Sequence, residues 1–126
     1  VNEVAQTSDA DIYAAGDCAS FFSKRYDRVI RLESVQNAID QGKVAAQAML
    51  GQEISYNPLP WFWSDQYDVK LQIAGLSQGF DRLEIEGDMS DNSFTVTYFK
   101  DENQNPKKAV SSSGSVILKE AIALNW

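Results

Sequence analysis

The chain has 126 residues, of which 44% are hydrophobic and 23% charged, and its net charge is -7 at pH 7. This length suits one domain or two small units, and the composition is typical of a globular protein. The acidic balance argues against a nucleic-acid partner, because a phosphate-binding surface is basic. No apolar run approaches the ~20 residues of a membrane-spanning helix. No leader opens the chain, so we expect a cytoplasmic protein with no membrane partner.

Histidine is absent from the sequence, and Cys18 is the single cysteine. The chain therefore offers no Ser/His/Asp or Cys/His pair, no histidine-ligated metal and no internal disulfide. Cys18 is expected to be a small buried residue rather than a reactive thiol. Acidic pairs such as Glu33 and Asp65 would suit a hydrolase, but their spacing does not bring them together. We predict no metal site and no catalytic side chain.

Residues 9–16 are predicted to form a turn and then an apolar strand that ends in Gly16 and Asp17. Consecutive apolar residues are typical of a strand covered on both faces by an α/β fold. The chain offers few neighbouring strands and does not begin with Met, so we expect it to be part of a longer protein. Ligands of open α/β sheets bind at the carboxyl ends of strands. There Asp17 would accept hydrogen bonds from the hydroxyls of a sugar or a ribityl chain.

Residues 21–31 are predicted to form a loop that concentrates positive charge in an acidic chain. Its basic residues are Lys24, Arg25, Arg28 and Arg31. Each one alone would be an ordinary solvated side chain. As a cluster they would steer an acidic protein partner, because complementary charged patches raise encounter rates.

Residues 34–50 are predicted to form a helix, with Ser34 as its N-cap and Gly51 as its C-terminal stop. Small and apolar residues recur at helical spacing, and we expect them to form the buried face: Val35, Ala38, Ile39, Gly42, Ala46 and Met49. The first N–H groups of the helix, at Val35 and Gln36, are free to bind an anionic or carbonyl oxygen.

After a polar linker at residues 52–60, three consecutive aromatic residues begin a second unit, and we expect at least one of them to line a cleft. Alternating apolar residues then predict an antiparallel sheet with one solvated face. Its strands are expected at residues 69–73, 83–85, 94–98 and 107–110, followed by a loop at 111–114 and a helix at 116–124 capped by Ser113 or Ser115. The fold class is therefore α+β, a C-terminal antiparallel sheet with flanking helices preceded by a strand–loop–helix segment.

Three stretches occur in a characteristic order: TSDADIYAAGDCA (residues 7–19), RLESVQNA (residues 31–38) and PWFWSDQY (residues 60–67). Together they resemble the C-terminal third of the NADH-dependent ferredoxin, rubredoxin and putidaredoxin reductases, which are related to the glutathione reductase superfamily. The first resembles the second FAD motif of that family, and the second resembles the helix below the flavin. The third resembles the start of the C-terminal domain and is the most specific of the three.

The resemblance implies an enzyme that passes electrons from NAD(P)H through FAD to a ferredoxin- or rubredoxin-type acceptor. Asp17, after Gly16, would hydrogen-bond the ribityl hydroxyls. The N–H of Val35 would meet the pyrimidine end of the isoalloxazine, where the helix dipole would stabilise negative charge on the reduced flavin. Trp63 would lie near the ring. Further cofactor-binding candidates are Ser34 and Gln36.

By the same resemblance, residues 1–57 would be the C-terminal segment of an FAD-binding α/β domain, and residues 58–126 a C-terminal domain of the dimerisation type. The chain contains no G-x-G-x-x-G fingerprint for FAD or NAD. We therefore expect the isolated chain to be inactive and to bind FAD weakly or not at all. The alternative is a non-enzymatic interaction or dimerisation module with a vestigial flavin motif. Because apolar surface would lose its natural cover, we expect a homo-oligomer.

Overall fold

The computed structural model describes residues 1–90, 93–102 and 105–108, with side chains through residue 99. The chain divides into two compact units, Val1–Pro58 and Leu59–Trp126. The described elements are β1 (Ser20–Ser23), β2 (Arg28–Arg31), α1 (Val35–Met49), β3 (Trp61–Gln66), β4 (Val69–Ala74), β5 (Arg82–Asp88), β6 (Ser93–Glu102) and β7 (Asn105–Lys108). Among the described residues the fold is mixed, with three antiparallel sheets and one helix.

In the first unit, β1 and β2 form an antiparallel hairpin, so the loop predicted at residues 21–31 is wrong. Phe21 pairs with Ile30, and Phe22 pairs with Val29. Successive side chains of a strand point to opposite faces. Phe21 and Ile30 are accordingly buried, while Phe22 and Val29 are 51% and 66% exposed.

The strand predicted within residues 9–16 is also wrong. Tyr13 makes an isolated antiparallel bridge with Gln6, and the N–H of Ala14 donates to the carbonyl of Ala5 over 3.0 Å. This segment folds back on the start of the chain. A doubly covered parallel strand needs neighbouring strands, and the only regular strands of the first unit are those of the hairpin.

The predicted helix is confirmed as α1. The Oγ of Ser34 accepts the N–H of Asn37 over 3.3 Å, which satisfies one of the unpaired N–H groups of the first turn. Gly51 follows the helix with φ +72. This left-handed conformation is the usual glycine stop at a helix C-terminus.

The predicted buried face of α1 is wrong. Val35, Ile39 and Met49 are 59%, 47% and 60% exposed, and the residues that the helix buries are Asn37, Gln41, Val44 and Ala45. Buried amides need hydrogen-bond partners, and those of this helix find them in the neighbouring segments of the first unit. These contacts set the rotation of the helix and leave its apolar stripe exposed.

In the second unit, the predicted strands at residues 69–73, 83–85 and 94–98 are confirmed as parts of β4, β5 and β6. The strand predicted at 107–110 overlaps β7, and residues 109 and 110, the loop at 111–114 and the helix at 116–124 lie outside the described residues. The single predicted sheet is wrong, because β3 pairs with β4 in one sheet while β5, β6 and β7 form another.

In the described part of the second unit, the buried residues are Pro60, Ala74 and Gly75, where β3 pairs with β4, and Phe99 on β6. The Arg82 guanidinium lies 3.8 Å from the centroid of the Phe99 ring, and Phe80 packs edge-on against Tyr98 at 4.7 Å. The sequence predicted strands with one face buried and one face in solvent. Every residue of β5 is exposed, so this prediction is wrong for β5. Among the described strands it hydrogen-bonds to β6 alone, and edge strands are the least covered part of a sheet.

Candidate functional site

The Gly16-Asp17 pair lies in a tight turn against the first half of α1. The N–H of Ala19 donates to the carbonyl of Gly16 over 3.0 Å and closes the turn. Gly16 has φ +83, and a Cβ on it would lie 3.4 Å from the Cβ of Ala38. Glycine adopts this backbone conformation without a steric cost. The absence of a side chain therefore lets the turn rest directly on the helix, with Asp17 exposed at its tip.

Two hydrogen bonds hold the backbone on either side of the Asp17 side chain. The N–H of Gly16 donates to Oε1 of Gln41 over 2.8 Å in a buried position. Arg31 donates from Nη1 to the carbonyl of Asp17 over 2.9 Å and also pairs with the carboxylate of Glu33. Arg31 thus joins the turn to the residue that precedes the helix cap.

The N-terminus of α1 has no acidic side chain in its first turn. The positive end of the helix dipole is therefore not offset by a carboxylate there. Val35 is exposed at this end. Gln36 donates from Nε2 to Oδ2 of Asp40 over 2.5 Å, which turns its amide along the helix.

Beneath this region is a buried polar network that the sequence analysis missed. Asn37, 3% exposed, donates from Nδ2 to the carbonyl of Leu32 over 2.9 Å and accepts the Tyr56 hydroxyl at Oδ1 over 2.6 Å. The Tyr56 ring packs edge-on against Phe21 at 5.0 Å. The one sequence signal was the spacing of Asn37 and Gln41, since amides four residues apart lie on one helix face.

Alkaline pH is expected to destabilise the first unit through Tyr56. Burial, with the negative charge of Asp40 as a second cause, raises the pKa of Tyr56 from its ordinary 10.0 to about 12. Because the folded-state pKa is the higher one, this stabilisation is complete below about pH 10 and disappears as the pH rises towards about 12. We expect the free energy of unfolding to fall by roughly 1–2 kcal/mol across that window, because solvent screens part of the effect of the shift.

The measurement is urea unfolding followed by circular dichroism at 222 nm at several alkaline pH values. Tyr56→Phe is the comparison, because it removes the titrating hydroxyl and leaves the other tyrosines and the lysines unchanged. Its loss of stability between about pH 10 and about pH 12 should be smaller than that of the wild type. Equal losses in the two proteins would contradict the assignment.

Trp63 belongs to the second unit, in β3 opposite Gln72. It is 42% exposed and its neighbour Phe62 is 38% exposed, so neither side chain is fully enclosed by a core. The structure thus brings Gly16 and Asp17 beside the helix that Ser34 caps and that Val35 and Gln36 begin. That Trp63 lies near a flavin stays a prediction.

Cys18 is exposed, contrary to the expectation of a buried residue, and its Sγ donates to the carbonyl of Ala15 over 3.5 Å. It occupies the same tight turn as Asp17, which explains its accessibility. Within the described ranges, three or more His, Cys, Asp or Glu residues do not cluster in a way that would hold a metal ion. The one described helix is too short and too polar to cross a membrane.

The basic cluster predicted at residues 24–31 lies on and around the β1–β2 hairpin. Lys24 pairs with Glu3, and this hydrogen bond and charge lower the pKa of the Glu3 carboxyl. The Arg28 guanidinium lies 6.0 Å from the centroid of the Tyr26 ring. Lys24 and Arg31 thus lie beside the carboxylates of Glu3 and Glu33, and exposed pairs of this kind contribute little to stability.

Comparison with known proteins decides the family. Residues 61–123 match the family model described as Reductase C-terminal. The chain belongs to this family. The match confirms the resemblance drawn from the three sequence stretches, the last of which extends into the matched region.

Among curated members, putidaredoxin reductase CamA of Pseudomonas putida is 45% identical over 100 residues, which are 79% of this chain and 24% of that protein. Ferredoxin--NAD(P)(+) reductase fdr of Sphingomonas sp is 46% identical over 103 residues, covering 80% of this chain and 25% of its own length. The chain therefore spans about a quarter of the length of these relatives.

The solved structures agree. The ferredoxin reductase for the CYP199A2 system from Rhodopseudomonas palustris is 47% identical, with a TM-score of 0.74 over 79% of this chain and 25% of that one. Putidaredoxin reductase, in its covalent complex with putidaredoxin, is 46% identical, with a TM-score of 0.72 over 78% and 24% of the two chains. The mixed α/β fold is thus that of the C-terminal region of ferredoxin reductases.

Proposed function

We propose that the chain acts as the C-terminal portion of a FAD-dependent oxidoreductase that passes electrons from NAD(P)H to a ferredoxin- or rubredoxin-type acceptor. The observation that carries the proposal is the exposed Asp17 carboxylate, on a turn held against a helix whose first turn has no acid. In this proposal residues 1–57 complete an FAD-binding domain, residues 58–126 form the C-terminal domain, and the enzyme is cytoplasmic.

The residues of the turn and the helix fit a flavin. The Asp17 carboxylate supplies acceptors for the ribityl hydroxyls, and the missing Cβ of Gly16 leaves the backbone close to the helix. The N–H groups of Val35 and Gln36, oriented by the Ser34 cap, supply donors and the positive end of the dipole to the pyrimidine end of the ring. FAD, when bound, supplies the hydride and electron-transfer chemistry, while these residues bind, orient and tune it.

The acceptor in this proposal is an acidic iron–sulfur protein or a rubredoxin. The covalent complex of a relative with putidaredoxin supports an acceptor of the ferredoxin type. The basic residues around the β1–β2 hairpin would raise the rate of encounter with such a protein, because opposite surface charges steer diffusion. Trp63, half-exposed on β3, would lie near the flavin on the route of nicotinamide or electrons.

The test of the function is the visible absorption spectrum of the full-length reductase that contains this chain. We expect flavin bands that bleach when NADH is added. A colourless protein that cannot be reconstituted with FAD would instead favour the non-enzymatic interaction or dimerisation module with a vestigial flavin motif.

Replacing Asp17 by alanine in the full-length protein is expected to weaken FAD binding about tenfold to a hundredfold, because hydrogen bonds to a charged group are lost. The FAD dissociation constant is measured by fluorescence titration of the apoprotein. Asp11→Ala is the matched control, since Asp11 is an exposed carboxylate in the preceding loop. Equal FAD affinity in the two variants would show that Asp17 does not contribute to the binding of FAD.

We propose that the isolated chain is a homo-oligomer, because the exposed stripe of α1 includes Val35, Ile39 and Met49. Contiguous exposed apolar side chains favour association. Light scattering on the purified chain should give at least twice the monomer mass of 14.0 kDa, and a monodisperse monomer would rule the association out.

A further inference from the structure

The buried contact between Gln41 and the Asp17 turn has no role in the binding scheme above. The Gln41 side chain is 1% exposed, and its Oε1 accepts the N–H of Gly16, 25 residues earlier in the chain, over 2.8 Å. An amide is buried at a cost unless it is hydrogen-bonded. The contact therefore anchors both partners, the helix residue and the turn.

The geometry assigns Gln41 as a positioning residue of the flavin site, and this inference rests on the proposed function. Gln41 touches the residue before Asp17 rather than the carboxylate itself. By fixing the Gly16 N–H it sets where the Asp17 side chain leaves the turn and how far it lies from the N-terminus of α1.

Gln41 fixes the turn more strongly than Arg31, the other residue whose side chain hydrogen-bonds to it. Arg31, which binds the Asp17 carbonyl, has a side chain that is 51% exposed, so water competes for its contact. Gly16 has φ +83, and glycine occupies several backbone conformations at little cost. Without the Gln41 acceptor, the turn keeps only the hydrogen bonds from Ala19 and Arg31, and the Asp17 carboxylate loses its fixed direction although its charge is unchanged.

Gln41→Met tests this, because methionine keeps the unbranched shape of the side chain and removes the acceptor. In the full-length reductase we expect the FAD dissociation constant to rise about tenfold, because FAD binding must then order the Asp17 turn itself. Gln47→Met is the control on the same helix, since Gln47 is only half-buried, and it should leave FAD affinity unchanged.

A double-mutant cycle separates positioning from a merely structural role. If Gln41 acts through Asp17, then Gln41→Met combined with Asp17→Ala binds FAD no more weakly than Asp17→Ala alone. If Gln41 only supports the fold, the two losses add. Additive losses, or unchanged affinity in Gln41→Met, overturn the assignment.

Hydrogen exchange gives a readout that needs no flavin. In the chain of 126 residues, the Gly16 amide should exchange slowly by NMR and become unprotected in Gln41→Met. Gln41→Asn shortens the side chain by one methylene and withdraws its amide from Gly16, so its Gly16 amide should exchange as fast as that of Gln41→Met. If neither variant folds, Gln41 is required for folding, and the assignment as a positioning residue is overturned. A wild-type reductase that binds no FAD refutes the proposed function, whereas normal FAD binding by Gln41→Met refutes this inference alone.

Discussion

Replacing Gly87 by alanine is expected to disrupt the sheet of β5, β6 and β7. Gly87 has φ +97, and a Cβ there would lie 2.4 Å from the carbonyl oxygen of Ser93 and 2.9 Å from the Cα of Phe94. Both are backbone atoms of the paired strand, so no side-chain rotation relieves the overlap. Backbone strain of about 1–3 kcal/mol adds to a similar cost of overpacking, and we expect a total loss of about 2–6 kcal/mol.

The free energy of unfolding of Gly87→Ala is measured by urea titration followed by tryptophan fluorescence. All three tryptophans, at positions 61, 63 and 126, belong to the second unit, so the signal reports on the unit that contains the substitution. A loss of this size is a large share of the ~5–15 kcal/mol that stabilises an ordinary domain.

Gly51→Ala is the matched control, followed by circular dichroism because Gly51 ends the helix of the first unit. Gly51 has φ +72, yet no atom lies within 4 Å of the position its Cβ would take. Its substitution therefore adds backbone strain without overlap, at a cost of about 1–2 kcal/mol. If Gly87→Ala loses no more stability than Gly51→Ala, the backbone of β6 does not lie close enough to Gly87 to exclude a Cβ.

The sequence predicted those helices and strands that are determined by residues within the element itself. The helix was predicted from small and apolar residues at helical spacing, with Ser34 and Gly51 marking its two ends, and β4 was predicted because Val69, Leu71 and Ile73 alternate with polar residues. The β1–β2 hairpin was missed because one of its inward-facing residues is Ser23, 2% exposed, while the outward-facing Phe22 is apolar. The hydrophobic alternation that identifies a strand is therefore hidden in this segment.

The candidate site was predictable only in part, because its support depends on contacts between distant residues. The Gly16-Asp17 pair and the helix start were recognisable as motifs. The hydrogen bond from Gly16 to Gln41 joins residues 25 positions apart, and the Tyr56 hydroxyl reaches Asn37 across 19. Periodicity assigns a buried face by hydrophobicity alone, and here polar contacts determine which face of α1 is buried.

Replacing Asn37 by alanine is the second substitution expected to have a large effect, with a loss of about 3 kcal/mol in the free energy of unfolding. The Asn37 amide accepts the Tyr56 hydroxyl and donates to the carbonyl of Leu32. Its removal leaves both groups buried without these partners, at about 1–3 kcal/mol for each. Alanine raises helix propensity slightly, which offsets only a small part of the loss.

Urea unfolding of Asn37→Ala is followed by circular dichroism at 222 nm, which reports on α1. Gln47→Ala, at a half-buried position of the same helix, should change stability by no more than about 0.5 kcal/mol. The double variant Asn37→Ala with Tyr56→Phe should lose less than the sum of the two single losses, because one of the unpaired groups is then removed. Strict additivity, or a loss in Asn37→Ala no larger than in Gln47→Ala, would mean that the rotation of α1 is set by the packing of Val44 and Ala45 rather than by its buried amides.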